Sequence, residues 1–330
     1  MSTVDVFVPC YRYGHYLAEC VHSVLEQEGV EVRVLILDDA SPDNTPDVAQ
    51  ALLREDRRVE YRRHEANRGH VATYNEGLAW VAADYLLLLS ADDLLTPGAL
   101  RRAADVLDAH PDVAMCFGRE IVYRTPQDRE QVPACVESYG CQILTGREYL
   151  ENVCRTAVNP VQTVTAVVRT ATQREVGGYS WQLPHAGDME MWMRLAAHGS
   201  IAKLDCYQGL YRKHQNNMSI AYYRSPWKDM EQRRTTFDRF FQRYRDQLPD
   251  AERLEASARL HLAEDAFGMA TGLFYQRDCR GARACLAFMQ ETHPRARSWP
   301  GVSRVWWRSL LGRRFWLLFD SIATVVRRHA

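Results

Sequence analysis

The nine cysteines show no C-x-x-C spacing, no apolar run reaches the ~18 residues of a membrane-spanning helix, and the chain has almost no net charge. Each of these absences excludes something. An odd set of cysteines without paired spacing argues against a disulfide framework or a zinc ribbon and points to a reducing compartment. A formal net charge of −1, from 41 Lys+Arg and 42 Asp+Glu, lacks the basic excess of a protein that neutralises many phosphates, so nucleic acid is not an expected partner. The first residues, MSTVDVFVPCY, bring Asp5 early and no basic segment ahead of the apolar stretch; they read as a strand and not as a signal peptide. A cytoplasmic globular protein is expected, and 330 residues suffice for one large domain or two smaller ones.

What is present begins with alternation. Short β-branched and apolar runs at Val4–Val8, Val32–Leu37, Val59–Tyr61, Tyr85–Leu89 and Val113–Phe117 predict strands, separated by helical stretches near Tyr16–Gln27, Thr45–Arg54, Val71–Ala82 and Pro97–Ala109. Such spacing predicts βαβ units, and hence an α/β, Rossmann-like, mostly parallel sheet flanked by helices. The pattern gives way to a polar loop over Thr125–Gly140, and further strands are expected at Gln162–Arg169, Ile201–Leu204 and Gly209–Arg212. A helix is expected from Asp188 to Gly199. Beyond Ser225 the chain reads as all-α. The expected division is a catalytic domain over 1–224, a helical region over 225–294 and a basic amphipathic helix over 295–330.

Within the helical region, Ala266, Met269, Ala270, Leu273, Ala282, Leu286, Met289 and Pro294 are spaced like a single tetratricopeptide-type helix pair. One such unit cannot bury its own face, so packing on a neighbour is the plainer expectation. The last segment explains the near-zero charge: from Thr292 onward the net charge is +7, leaving −8 for the remainder. Trp307, Leu311, Phe315, Leu318, Ile322 and Val325 form an apolar stripe there, opposite Ser309, Arg313, Asp320 and Arg327. A helix of this kind can lie in an anionic membrane interface or pack on protein.

In a parallel sheet ligands bind at the carboxyl ends of the strands, so the polar residues that follow each strand are the candidates for chemistry. Asp38-Asp39 follow the second strand; adjacent carboxylates raise each other's pKa unless donors or a cation satisfy them, and one of them can accept a hydrogen bond from a base N–H. Turn and cap chemistry accounts for Pro42 to Thr45 but not for this pair. Asp92 and Asp93, after the very apolar fourth strand, are the oxygen ligands a hard divalent cation needs beside a diphosphate, although Asp93 could equally face the next helix N-terminus. Asp188 opens a helix whose Met189, Trp192, Met193 and Ala196 share a face, with Glu190 and Arg194 four apart. It is either a cap or a general base. His214 lies in a polar stretch after the last strand, where a lone His is a metal or phosphate contact or simply solvated.

Taken in order, VPCYRYGHYLAECVHSVLEQ, VLILDDASPDNT, NRGHVATYNEGL, YLLLLSADDLLTPGAL, GDMEMWMRLAAHG and YRKHQNNMS resemble the motif series of family-2 inverting glycosyltransferases of GT-A fold, over roughly Val4 to Ser219. The resemblance implies that Pro9 and Tyr11 lie at the nucleotide base, that Asp38 or, in preference, Asp39 accepts from the base, usually uracil, and that Asn67, Arg68 and Gly69 border the ribose and diphosphate. It implies that Asp92 and Asp93 hold Mg²⁺ or Mn²⁺, that Asp188 deprotonates the acceptor hydroxyl, and that His214 supports the metal or leaving group. Glu190 and Trp192 are the acceptor-side candidates. Three departures stand out: Ser90 replaces the first carboxylate of D-x-D, Arg12 follows Tyr11 where Asn is common, and Gly187 stands where Glu usually precedes the base.

The implied partners are a nucleotide-sugar donor, a carbohydrate or lipid-linked acceptor and an anionic membrane surface on the inner face of the cell membrane; a homo-oligomer stays open. Two other readings keep the fold and change the job: a non-catalytic nucleotide-sugar-binding scaffold and a nucleotidyltransferase. The number of carboxylates expected in one crevice weighs against the scaffold.

Overall fold

Val4, Val6, Phe7 and Val8 of β1 (Thr3–Cys10) are fully buried, as expected for a strand covered on both faces. In the computed structural model, which describes residues 1–125, 128, 139–223, 225–307 and 309, β1 pairs in parallel with β2 (Glu31–Asp38) and β4 (Tyr85–Leu88), and β2 pairs with β3 (Val59–Arg63). The connections are α1 (Gly14–Leu25), α2 (Thr45–Glu55) and α3 (His70–Trp80). In α1, Leu17, Cys20, Val21 and Val24 recur at spacings of three and four and are all buried. The carboxyl ends of β1, β2 and β4 therefore share one rim, which carries Tyr11, Asp38-Asp39 and the approach to Asp92-Asp93.

Past β4 the sheet changes character. Next come β5 (Leu94–Leu95), α4 (Ala99–Ala109), β6 (Val113–Tyr123), β7 (Cys141–Leu144) and α5 (Gly146–Thr156). They are followed by β8 (Val167–Arg169), α6 (Thr170–Val176), α7 (Gly187–His198) and β9 (Ser200–Arg212). The strand order is β3-β2-β1-β4-β8-β6-β9-β5, with β7 also on β9. The short β8 runs antiparallel to both β4 and β6, whereas β6 and β9 are parallel to each other.

The α/β sheet flanked by helices is thus present, parallel through β3-β2-β1-β4 and mixed beyond. The two strands expected around 201–212 are one continuous strand, because Asp205, Cys206, Tyr207 and Gln208 alternate in exposure and so keep the two-residue period between the two apolar ends. Strand β7 and helix α5 lie between the loop expected to end at Gly140 and the strand expected from Gln162, a stretch for which no element was expected.

By contacts the chain divides into two units, Met1–Glu151 with Asn159–Asn217, and Asn152–Val158 with Met218–Ala330. The division lies slightly before the expected residue 224, and the end of α5 belongs with the second unit. That unit consists of α8 (Ile220–Tyr223), α9 (Pro226–Tyr244), α10 (Ala251–Tyr275) and α11 (Cys279–Thr292). Helices α10 and α11 pack on each other, with Leu262, Ala266 and Ala270 buried on one and Ala282, Leu286 and Met289 on the other. The buried Arg233 ties α9 to its surroundings by donating to the Ala157 carbonyl at 2.9 Å and to Asp265 at 2.6 Å. Leu311, Phe315, Leu318, Ile322 and Val325 of the expected amphipathic helix lie outside the described residues, as does most of the loop 126–138. Among the described residues no helix is long and apolar enough to cross a membrane.

Candidate active site

Both carboxylates at the end of β2 are supplied with donors. Asp38 is fully buried; it accepts from the Ser41 backbone N–H at 2.7 Å and from the Tyr61 hydroxyl at 3.0 Å, with Arg63 Nε 3.4 Å away. Asp39 accepts at Oδ1 from the Arg68 backbone N–H (2.7 Å) and lies 2.7 Å from His64 Nδ1, while Oδ2 accepts from the Gly69 N–H at 2.9 Å. Asn67 adds a bond from its side chain to the Asp39 carbonyl at 3.2 Å. A carboxylate offers about four acceptor positions, so Asp39 retains one on Oδ2. The structure therefore gives Asp39 the task of folding Asn67-Arg68-Gly69 over the start of α3, where Gly69 takes a positive φ of 83°.

His64 was not among the sequence candidates. It is buried between two carboxylates, with Nε2 3.0 Å from Glu76 Oε2, and Arg68 closes the cluster by bonding Glu76 at 3.0 Å. Its place directly after β3 was the available signal. Pro9 pairs with Leu37 inside the sheet, and Tyr11, 38% exposed, stands just past the strand with the Arg12 guanidinium 5.2 Å from its ring centroid.

The pair after β4 has a different environment. Asp92 Oδ2 lies 3.0 Å from His214 Nε2 and accepts from Asn217 Nδ2 at 3.2 Å. Asp93 accepts from the Arg212 backbone N–H at 2.8 Å, yet burial, and after it the neighbouring Asp92 charge, pushes its pKa well above the ordinary carboxylate range. Arg212 is a second residue that the sequence reading passed over. Its guanidinium donates to the Asp92 carbonyl at 2.8 Å and sits 4.2 and 4.7 Å from the ring centroids of Tyr16 and Tyr123. The Tyr13 hydroxyl donates to the Asn216 carbonyl at 2.9 Å, which fastens the first rim loop to the segment carrying His214.

Asp188 stands in the first turn of α7. Its Oδ1 accepts from the Met189 N–H at 2.7 Å and its Oδ2 from Asn159 Nδ2 at 2.9 Å, while Asn159 Oδ1 accepts from the Val161 N–H at 3.1 Å and is thereby held in one orientation. Burial raises the Asp188 pKa from 3.8 to about 6, against the smaller lowering effects of the Met189 N–H, His185 and Asn159. A carboxyl that titrates near 6 and keeps part of its surface open to solvent can exchange a proton near neutrality. The half-buried phenol of Tyr74 has its pKa raised by desolvation and then by the charges of Asp188, Asp92 and Asp93.

Two candidates are corrected. Glu190 is buried and paired with Arg194 at 2.9 Å, and Arg194 also donates to the carbonyls of Val176 and Gly178; Glu190 is spent on holding the segment before α7. Trp192 is 2% exposed and belongs to the core, as its position on the apolar face of α7 dictates. Neither is available to an acceptor.

Among the described residues no three His, Cys, Asp or Glu side chains gather into a metal site. Asp92 and His214 nevertheless bring a carboxylate oxygen and an imidazole nitrogen within 3.0 Å of each other, and Asp93 is the next residue along the chain. That set fits a cation that takes its remaining ligands from a diphosphate and water, which makes it a partial shell.

The family model described as "Glycosyl transferase family 2" matches residues 5–169, half of the chain. The chain belongs to glycosyl transferase family 2. One curated member of similar sequence is "Glycosyltransferase GlyG" of Streptococcus pneumoniae, 30% identical over 154 residues, which take in 44% of this chain and 50% of that protein. The chain thus spans about half the length of this relative. Among solved structures, S. aureus TarS in complex with UDP-GlcNAc aligns with a TM-score of 0.65 at 18% identity over 89% of this chain and 82% of that one. The mannosyltransferase PcManGT of Pyrobaculum calidifontis, in complex with GDP-Man and Mn²⁺, aligns at 0.56 with 15% identity over 93% and 84%. These family-2 and GT-A likenesses bear out the expected fold class.

Proposed function

We propose that this protein is an inverting glycosyltransferase that moves a sugar from a nucleoside-diphosphate sugar, a UDP-sugar, to an acceptor hydroxyl. The observation that carries the reading is the pair of acidic positions past the sheet, Asp92 held 3.0 Å from His214 and Asp188 held by Asn159 and the Met189 N–H with its pKa raised to about 6. Membership of the family and the nucleotide-sugar complexes of TarS and PcManGT support the donor class. A scaffold has no use for a buried carboxylate tuned to neutrality.

In this reading the Tyr11 ring covers the base, Asp39 accepts from it through its remaining lone pair, and the backbone at Arg68 and Gly69 borders the ribose and diphosphate. Asp92 and His214, with Asp93 beside them, hold Mg²⁺ or Mn²⁺. When bound, the cation supplies positive charge against the departing diphosphate. Asp188 takes the acceptor proton while Asn159 and the Met189 N–H fix the carboxylate plane, so that attack comes from the face opposite the leaving group and configuration inverts.

The test is direct. With a panel of UDP-sugars and Mn²⁺ the protein is expected to release UDP at a rate that Asp188→Asn abolishes; no release with any donor, or full release by the variant, rejects the reading.

We also place the acceptor on a membrane-associated glycan or lipid-linked precursor, and the enzyme on the inner face of the membrane. The +7 charge after Thr292 and the exposed Trp306 and Trp307 support this. The full chain is then expected to float with phosphatidylglycerol vesicles and not with phosphatidylcholine vesicles; equal partition overturns the placement.

A further inference from the structure

Between α6 and α7 the chain passes through Gly177-Gly178-Tyr179-Ser180-Trp181-Gln182-Leu183-Pro184-His185. At 78% exposure, Trp181 is the most exposed large aromatic side chain among the described residues. The loop that carries it is nonetheless held from several directions. Asn75 of α3 makes two bonds to Tyr179, accepting from its N–H at 2.7 Å and donating to its carbonyl at 3.0 Å. His70 Nε2 lies 2.9 Å from the Pro184 carbonyl. Leu183, buried to 1%, closes a turn by donating its N–H to Ser180 at 3.0 Å.

The segment also rests on Gly187. A Cβ there would lie 3.4 Å from Tyr179 Cδ1 and 3.9 Å from Leu183 Cβ, ordinary contact distances, so the loop packs against the backbone of the residue that precedes Asp188. The exposure of Trp181 is therefore a property of a loop whose backbone is fixed in advance of any contact.

The same loop borders the candidate base on both sides of Trp181. Tyr179, packed on Gly187, stands against the backbone that leads into Asp188, and His185 lies three residues before it. Two residues of extended chain span at most about 7 Å between Cα atoms, so Trp181 stands within that distance of a residue packed on Gly187, next to Asp188. A large, flat, stiff apolar surface held in water is unfavourable unless something covers it, and tryptophan covers a flat apolar partner with little loss of side-chain freedom. Next to a group that deprotonates a hydroxyl, the matching partner is one that bears hydroxyls at its edge and C–H bonds on its face.

We infer that Trp181 is the stacking platform of an acceptor subsite that takes a saccharide ring, its indole against the C–H face of the sugar whose hydroxyl, or whose neighbour's hydroxyl, is presented to Asp188. This rests on the transferase reading above and deepens it by naming the acceptor as carbohydrate at this subsite. The donor side is untouched by it, since Trp181 makes none of the contacts made by Asp39, Asp92 or His214.

The experiment compares the fluorescently labelled full chain with Trp181→Ala and Trp181→Phe on a printed glycan array in the presence of UDP and Mn²⁺, while UDP titration reports the donor side. The wild type is expected to retain at least one class of glycan, Trp181→Ala to lose about tenfold or more of that binding, and Trp181→Phe to keep most of it, with UDP affinity the same in all three. A wild type that retains no glycan, or a Trp181→Ala protein that binds glycan as the wild type does, overturns the inference. So does a shift from dimer to monomer in Trp181→Ala by sedimentation without loss of glycan binding, which would assign the ring to a contact between copies. Absence of UDP binding by the wild type would be a failure of the transferase reading itself, read on a separate channel.

Discussion

At the end of β2, Asp38 and Asp39 receive bonds from Ser41, Tyr61, Arg68 and Gly69, and His64 lies against Asp39. At the end of β4, Asp93 has one backbone donor and a pKa pushed well above its ordinary range, and in the first turn of α7 Asp188 is raised to about 6. Both regions present acidic residues at a sheet rim, but in the first the fold itself supplies the compensating donors. Those carboxylates build a loop. In the second, burial is left only partly compensated, and that imbalance is what makes proton transfer and cation binding available there. Structural carboxylates are thus expected to fail in stability when removed, and chemical ones in activity.

The largest effect sharpens the activity side. Asp188→Asn keeps the shape and an acceptor for the Met189 N–H while removing the base, so turnover is expected to fall by about 10²–10⁴-fold with UDP affinity unchanged. The stability of this variant should move the other way. An Asp that titrates near 6 when folded and near 3.8 when unfolded holds its proton more tightly in the folded state, so folding is weakened as pH rises from about 4 to 6 and stays weakened above. Relative to the wild type, Asp188→Asn is therefore expected to gain up to about 3 kcal/mol between pH 3 and pH 8, on top of a pH-independent loss from the broken Asn159 bond. Urea melts at the two pH values check this, and a stability difference that does not change with pH would put Asp188 with the structural set.

On the other side of the comparison, Asp39→Ala leaves the Arg68 and Gly69 N–H groups and His64 without their shared acceptor. A loss of about 2–4 kcal/mol in urea unfolding is expected, whether or not a donor is present. A variant that unfolds like the wild type but no longer binds UDP would break the contrast, because Asp39 would then serve the ligand alone.

Much of this division was legible in the sequence, though not which pair did which job. Period and spacing located β1 to β4, their helices and the carboxylates that follow them, because a buried parallel strand must be apolar and its ligand groups must come just after it. Pairing partners are a different matter. That His64, Arg68 and Gly69 would converge on Asp39, or that Arg212 would back Asp93, depends on contacts 25 to 119 residues apart in the chain. Glu190 shows the opposite error: it read as polar and near Asp188, while the i+4 Arg194 that neutralises it in the core was already visible. Short β5 escaped because two residues cannot display a period, and of the strand expected at Gln162–Arg169 only Val167–Arg169 forms.

A smaller effect tests how Asp188 is held. Asn159→Ala removes the donor to Oδ2, which favours the charged form, so the carboxyl should titrate above its present value of about 6. The acid limb of turnover is expected to move to higher pH, with several-fold loss at pH 6 and little at pH 8, where the base is ionised in either protein. A uniform loss across pH would instead mean that Asn159 acts on geometry alone.

The smallest effect is the most discriminating. Asp93→Asn keeps an oxygen to accept from the Arg212 N–H and removes the charge that burial and Asp92 oppose. Its folding stability is expected to be unchanged or higher by up to about 1 kcal/mol at pH 7, opposite in sign to Asp39→Ala. Binding of Mn²⁺, followed by calorimetry with UDP present, should weaken at the same time, since the site loses one of its anionic groups. A destabilisation equal to that of Asp39→Ala, with metal affinity intact, would make the two pairs alike and leave the β4 rim without its chemical role.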